Sequence, residues 1–599
     1  MSQYTAPLND LLFNLEHIAQ LDPLSRTIPA FADANLETAA AVLDESAKLT
    51  QNILAPLNAL GDRHPPTLNQ GQVTTSPGFK QAFEQFVQGG WQGLQHPVFY
   101  GGQGLPKSIG AACFEMLNSA NLSFALCPML TDATIEALLI VGTAEQKDRY
   151  LPQLLSGKWT GTMNLTEAQA GSDLSLIRTR AEPQPDGRFK LYGTKIYITY
   201  GEHDYTDNIL HLVLARIQGA LDGIKGLSLF LVPKWLVQLD GSLGERNDVV
   251  CLSLEHKLGI HASPTAVLQF GDQGGAVAEL VGEPNKGLET MFIMMNAARF
   301  AVGVQGVGLA ERAYQQAVQY AKDRVQSRPI DGSALNSVAI IQHPDVRRML
   351  MHMRALIQSG RALAIFAASQ HDLGQHHPDA TQRATYQTLY EYLVPVVKGY
   401  CTENSQIVTR LAIQVHGGMG FIEETGVAQH DRDAKILTIY EGTTAIQAND
   451  LLSRKTWRDQ GLAARVLLTQ VWATLTALHT SEHPQAPLIA QSLGSAHQAF
   501  TQVVDFMLQN SKTTPELDYA GSVSYLMLVG YTLSGWQLAH SFLIATQQIS
   551  QHPVGSAFLK TKMTTAVYFA QHILPQVKVL ADAIQLGGGS ILELPLDAF

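Results

Sequence analysis

The hydrophobic period changes twice along this 599-residue chain, which restricts its architecture more than any single motif does. Up to residue 156, apolar residues recur at helical spacing, as at Leu8, Leu11, Leu12, Leu15 and Ile18, and again at Phe83, Phe86 and Val87. Turn signals at Arg63-His64-Pro65-Pro66 and Tyr100-Gly101-Gly102 interrupt these helices. Residues 190–200 then alternate as a strand does, and short runs at 209–217, 227–232, 249–254 and 265–270 are bounded by Gly, Pro or Asp. Helical spacing returns at Gly287 and runs through Met291, Met294, Met295, Ala298, Val302 and Val307 into Tyr320. Long helical stretches follow at 339–369, 379–414 and 444–454, with Asp379 after Pro378 placed as an N-cap. This order predicts an α+β fold, mainly α. It comprises an N-terminal α-helical domain (1–160), a central antiparallel β-barrel (161–282) and a four-helix bundle (283–457). Polar residues at 454–460 mark a boundary. Beyond it 463–478, 488–510, 522–549 and 557–586 predict an extra C-terminal helical bundle (458–599).

With 46% hydrophobic and 16% charged residues the chain can bury large cores, and its length exceeds what one core holds. A formal net charge of −11 without a basic block of five or more residues argues against nucleic-acid binding, which needs clustered Lys and Arg. Cys113, Cys127, Cys251 and Cys401 form no CxxC pair and no zinc spacing, so reduced thiols, no metal site and a cytoplasmic location are expected. The first residues carry Asp10 and Glu16 and lack the basic stretch of a secretion signal. Residues 519–559 contain no Asp, Glu, Lys or Arg, and 523–545 are long enough to span a bilayer. Interruptions at Ser524, Gly530, Thr532, Ser534, Gly535, Gln537 and His540, and the missing positive flanks, favour a buried helix, with membrane-surface contact as the alternative.

Three segments bear on chemistry. In residues 431–447, Glu441 lies where an apolar run turns into a helix, Gly442 permits close backbone approach, and Thr443 suits an N-cap. On spacing alone, an acid favoured by the helix dipole explains Glu441 more simply than a catalytic group does. Residues 163–173 concentrate small residues and hydroxyls where helices yield to strands, suiting either a phosphate- or ring-binding loop or a surface turn. The cluster Gln414-Val-His-Gly417-Gly418-Met-Gly420 follows a helix, so it is not a dinucleotide-binding fingerprint; a helix C-cap accounts for one of its glycines.

Tyr440-Glu441-Gly442-Thr443, Leu165-Thr166-Glu167 with Ala170-Gly171-Ser172-Asp173, Ile198-Thr199, and Gln414 with Gly417-Gly418 occur in the order and at the spacings of acyl-CoA dehydrogenases. The chain resembles that family over residues 83–455. The resemblance implies FAD held between a β domain and a helical bundle, with acyl-CoA running past the flavin. It implies cofactor contacts at Met163, Leu165, Thr166, Gly171, Ser172, Tyr197, Ile198 and Thr199. Arg324, Gln326, Gln342, Gln414, Gly417 and Gly418 would reach the FAD of the other subunit in a homodimer, and Thr443 and Ala445 fall on the adenine side. Substrate-side positions are Ser172, Asn296, Arg299 and Gly442, though Arg299 equally suits a helix salt bridge.

By resemblance Glu441 takes the α-proton of an acyl-CoA and flavin N5 the β-hydride, giving the trans-2-enoyl-CoA. The electrons then pass to an electron-transfer flavoprotein, in fatty-acid β-oxidation or a related pathway. The chain departs from the family at Tyr197 and Tyr200, where Trp and Asn are usual, at Arg324-Val-Gln-Ser-Arg328, and at Ala445, where Gln is common. With the extension after residue 455, the whole pattern, including Gly101-Gly-Gln-Gly104 and Met294-Met-Asn-Ala-Ala-Arg299, is similar to a large bacterial branch that includes 3-methylmercaptopropionyl-CoA and broad-specificity linear acyl-CoA dehydrogenases. An acyl-CoA oxidase, a flavin-containing DNA-binding relative and a membrane-docking role for the extension are the alternatives.

Overall fold

The computed structural model describes residues 4–238, 240–551 and 556–599. Their contacts form two units: one gathers residues up to 47, 106–119 and from 299 onward, the other 48–105 and 120–298. This division cuts across the linear segments expected from the sequence. Helix Leu8–His17 packs on Pro344–His376 and so joins the helical unit, not a self-contained domain 1–160.

The helical unit is built on residues 299–323 of helix Gly287–Asp323, with Pro344–His376 and Ala380–His416. Asp379 caps the third, its carboxylate accepting the Thr381 and Gln382 N–H at 2.7 and 3.0 Å, as its position after Pro378 predicts. The second starts later than its period suggests, because Pro344 sets the first helical position and Ile340–Gln342 forms a 3-10 turn. The stretch expected at 444–454 is the short helix Thr444–Asn449, which widens into π-helical geometry over Asp450–Trp457.

Most of the uncharged segment forms helix Ser522–Gln551, packed against Pro344–His376, Ala380–His416, Ala557–His572 and Gln576–Glu593, while residues 552–555 lie outside the described residues. Two of its hydroxyls are satisfied locally: Thr532 and Ser541 donate to the carbonyls of Leu528 and Gln537 at 2.8 and 2.9 Å. Gly530 permits the close approach, since a Cβ there would sit 2.4 Å from the Tyr400 ring. The C-terminal helices therefore share a core with the bundle. The run expected across 557–586 is two helices, because Pro575 has no N–H to continue the first.

In the other unit an eight-stranded sheet, counted among the described residues, runs in the order Val249–Leu254, Thr265–Phe270, Phe189–Thr199, Ala276–Val281, Leu227–Pro233, Asn208–Ile217, Trp159–Asn164. Arg180–Pro183 pairs beside Phe189–Thr199 and Asn208–Ile217. The barrel-like sheet is mixed and not antiparallel throughout as expected, because Trp159–Asn164 and Arg180–Pro183 both pair parallel with Asn208–Ile217. The chain leaves the first of these and returns in the same direction only after the long excursion that a parallel pair needs. Trp159–Asn164 escaped sequence reading because all six residues are buried and nothing alternates. The sheet core holds Leu191, Ile198, Val213, Phe230, Val232, Leu268 and Phe270.

Candidate active site

In the helical unit the chain reverses hand at residue 441. Glu441 has φ 54° and Gly442 φ 89°, and a non-glycine residue in this region costs about 1–2 kcal/mol. The next helix begins at once, with the Thr443 hydroxyl accepting the Ile446 N–H at 3.3 Å as its cap.

Four hydrogen bonds hold the turn from behind. The Gln447 amide donates to the carbonyls of Glu441 and Gly442 at 3.0 and 3.1 Å. Arg299 Nε donates to the Glu441 carbonyl at 3.3 Å, and Lys398 Nζ to that of Gly442 at 2.7 Å. A side chain at Gly442 would be strained by its φ, and its Cβ would meet Gln447 Nε2 at 2.8 Å.

With the backbone so held, the Glu441 side chain is half-buried. Burial pushes its carboxyl above the usual carboxylate range, while the Arg299 and Lys398 charges pull it back. Its oxygens accept no hydrogen bond among the described residues, so a lone pair is available to take a proton. Raised proton affinity in a still-ionisable carboxyl makes a stronger base than a free glutamate.

Arg299 is 2% exposed and pairs with Asp450 at 3.3 Å. Its visible contacts are with Asp450 and the base turn, not with an open substrate face, as the alternative helix salt bridge suggested. Asn296, one turn earlier, is half-buried.

The sheet unit carries the loop singled out in the sequence. Its hub is Glu167, 5% exposed, whose carboxylate accepts from Lys195 Nζ at 2.8 Å, Thr179 Oγ1 at 2.6 Å and the N–H groups of Arg178 and Thr179. Lys195 also donates to the Leu165 carbonyl at 2.9 Å. These partners hold the Glu167 carboxyl down at about 2 against the effect of burial. Glu167 therefore shapes the loop, and Asp173 likewise accepts the Ser175 N–H locally at 2.9 Å.

Glu167→Gln should cost about 2 kcal/mol, the scale of a charged hydrogen bond. A folded-state carboxyl held below its unfolded value stabilises above that value and loses the contribution as pH falls towards 2. The gap between wild type and variant should therefore close on acidification. A gap that is constant with pH in chemical unfolding would show that the carboxylate is not the hub.

Ile196 N–H donates to the Thr166 carbonyl at 2.9 Å, bringing this loop beside the end of strand Phe189–Thr199. There a register shift against Thr265–Phe270 and φ 61° at Tyr197 turn its ring outward, leaving it 60% exposed. A strand-core role for Tyr197 is thereby excluded. Half-buried Thr166 and Thr199 flank it, while Gly171 and Ser172 are exposed. Met163 and Ile198, by contrast, turn into the core at 7% and 2% exposure, so only their backbone could meet a ligand. Tyr200, where the family often has Asn, is buried with its hydroxyl donating to the Ser123 carbonyl at 2.9 Å.

The remaining expected cofactor positions are exposed on the helical unit. Tyr320 and His416 stack at 4.2 Å, drawing together the ends of Gly287–Asp323 and Ala380–His416. Arg324 and Gln326 follow the first end, and Gln414, Gly417 and Gly418 surround the second. Gln342 lies in the 3-10 turn before Pro344, also exposed, and Ala445 is exposed one residue past the start of its helix. Lys398, Gln447 and Lys195 were not singled out in the sequence. A lone lysine in the apolar run Val394-Pro-Val-Val-Lys398-Gly was the available signal for the first.

Family models match the chain in order: the acyl-CoA dehydrogenase N-terminal domain over residues 37–158, the middle domain over 162–273, the C-terminal domain over 285–455, and an acetyl-CoA dehydrogenase C-terminal-like domain over 467–595. Fold and models together define an oxidoreductase of the acyl-CoA dehydrogenase class. The chain is 51% identical to 3-methylmercaptopropionyl-CoA dehydrogenase of Ruegeria pomeroyi, over 99% of this chain and 100% of that protein. It is 33% identical to the broad-specificity linear acyl-CoA dehydrogenase FadE5 of Mycobacterium tuberculosis, over the whole of both. The acyl-CoA dehydrogenase of Bacillus anthracis, solved with FAD, shares the fold at TM-score 0.74 and 21% identity, over 94% of this chain and 90% of that one. The chain belongs to the acyl-CoA dehydrogenase family.

Proposed function

We propose that this protein is an FAD-dependent acyl-CoA dehydrogenase that removes the α-proton of its thioester substrate with Glu441. The observation that carries the reading is the half-buried Glu441 carboxyl, raised in proton affinity and seated on a left-handed turn that Arg299, Lys398 and Gln447 hold from behind. A thioester α-carbon is a weak acid, and a positioned, partly desolvated carboxylate supplies both the basicity and the orientation that its deprotonation needs.

The residues present fit a flavin. An outward Tyr197 ring beside the Thr166 and Thr199 hydroxyls offers an apolar face and hydrogen-bonding groups to a planar ring with heteroatoms. Bound there, FAD supplies the acceptor for the β-hydride. Thr166, Tyr197, Thr199 and the backbone of 163–172 would hold the ring. The exposed set Arg324, Gln326, Gln342, Gln414, Gly417 and Gly418 would serve the cofactor of a second copy. Kinship with the Ruegeria enzyme favours a short thioether acyl group, 3-methylmercaptopropionyl-CoA. An electron-transfer flavoprotein is the acceptor that membership of the family suggests.

The test is anaerobic titration of the purified yellow protein with a panel of acyl-CoA esters. Flavin bleaching is expected with 3-methylmercaptopropionyl-CoA at the lowest concentration, and with butyryl- and hexanoyl-CoA at higher ones. Equal bleaching by long linear esters would move the substrate towards the FadE5 kind. Substrate-dependent peroxide without another acceptor would identify an oxidase. An absorbance unchanged by every ester would end the reading.

A further inference from the structure

Lys398 is a buried ammonium in an apolar stretch of helix Ala380–His416, with 0% exposure. A charge so placed costs several kcal/mol unless it is paired. Its direct partner is the Gly442 carbonyl at 2.7 Å, one residue beyond Glu441. We propose that Lys398 is a positioning residue for Glu441, its Nζ holding the left-handed turn through the Gly442 carbonyl and, while protonated, setting a positive charge beside the base. This rests on the reading of Glu441 as the base.

The geometry separates two contributions. Gln447 and Arg299 share the Glu441 carbonyl, whereas Lys398 and Gln447 share that of Gly442, so removing Lys398 loosens one half of the turn. The charged and titratable groups around Lys398 come from every packed element. Glu441, Glu403 on its own helix and Arg299 on Gly287–Asp323 act on it directly, while Asp450 and Arg454 act on Arg299, and Glu403 on Tyr531 of Ser522–Gln551. Burial pushes the Lys398 ammonium down to about 7; Glu441 and Glu403 oppose that, and Arg299 adds to it. Lys398 in turn lowers the proton affinity of Glu441. Loss of the Lys398 charge must therefore raise it, so a base lacking this neighbour needs a higher pH to ionise.

The experiment compares wild type, Lys398→Met and Lys398→Gln as full-length holoenzymes, reading the pH profile of anaerobic flavin reduction by the best acyl-CoA of the panel. Lys398→Met should move the acidic limb up by about one pH unit. Its limiting rate should fall about tenfold while half-saturation changes less than about twofold. Lys398→Gln can still donate to the Gly442 carbonyl, so most of the limiting rate should return while the limb stays displaced. If Lys398→Met fails to retain flavin, Lys398→Gln alone decides through the limb. Profiles of folded variants that superimpose on wild type, whatever their melting temperatures, would reduce Lys398 to a structural residue and overturn the proposal. Glu441→Gln is the control that separates the two readings. If it reduces flavin at the wild-type rate, the base assignment fails. If it is inactive while the Lys398 profiles match wild type, only the present inference fails.

Discussion

Glu441→Gln should yield a folded, flavin-containing protein whose flavin is reduced by acyl-CoA on the order of 10²–10⁴-fold more slowly, the range for loss of a positioned general base. Gln keeps the shape and leaves the backbone ties from Arg299, Lys398 and Gln447 in place, so acyl-CoA affinity should change little. Stability should not fall. A carboxyl whose folded proton affinity is raised by burial costs folding free energy as pH rises through its titration, and Gln removes that cost. Above that range the variant should melt at or above the wild-type temperature. Rapid-mixing reduction kinetics and thermal unfolding decide both halves; near wild-type flavin reduction would remove Glu441 from the reaction.

The second large effect is expected far from this turn, at Arg361. Its side chain, 1% exposed, reaches three carboxylates from distant parts of the sequence: Glu115 through Nε at 2.9 and 3.0 Å, Glu311 at 2.8 Å, and Asp10. Lys562, from the C-terminal extension, also donates to Asp10 at 2.8 Å. Arg361→Met, close in volume, should cost about 3–5 kcal/mol in chemical unfolding, because it leaves buried carboxylates without their cation. Arg361→Lys should not restore stability, since one ammonium cannot supply the planar fork of donors that serves three partners.

The pH dependence identifies the cause. Burial already holds Glu115 up even with Arg361 beside it, and removing the guanidinium raises it further. A carboxyl raised in the folded state loses stability as pH rises through its titration. The penalty of Arg361→Met should therefore shrink on mild acidification and grow towards alkaline pH. A loss below about 1 kcal/mol at all pH values would mean the cluster is solvated and of little consequence.

Much of the fold was legible because periodicity is local. Strands Val249–Leu254 and Thr265–Phe270 match the runs expected for them, and the Asp379 and Thr443 caps sit where short-range chemistry puts them. Reading failed where burial erases alternation, as in Trp159–Asn164, and where pairing direction depends on distant chain, as in the mixed sheet. That helix Leu8–His17 packs with the bundle was hidden for a related reason: it is anchored by Arg361, 351 residues from its Asp10 partner.

At the candidate site the same line divides what each level determined. Sequence marked Glu441-Gly442-Thr443, the loop around Glu167 and residues 197–199 through their resemblance to a family's blocks, since the order and spacing of blocks are properties of the chain itself; spacing within each block left the bland readings open. Only the tertiary structure decided that Glu441 adopts a left-handed turn, that Arg299 and Lys398 come from 142 and 44 residues away to hold it, and that Tyr197 turns outward. Those outcomes depend on burial and long-range electrostatics, which exist only once distant segments have packed.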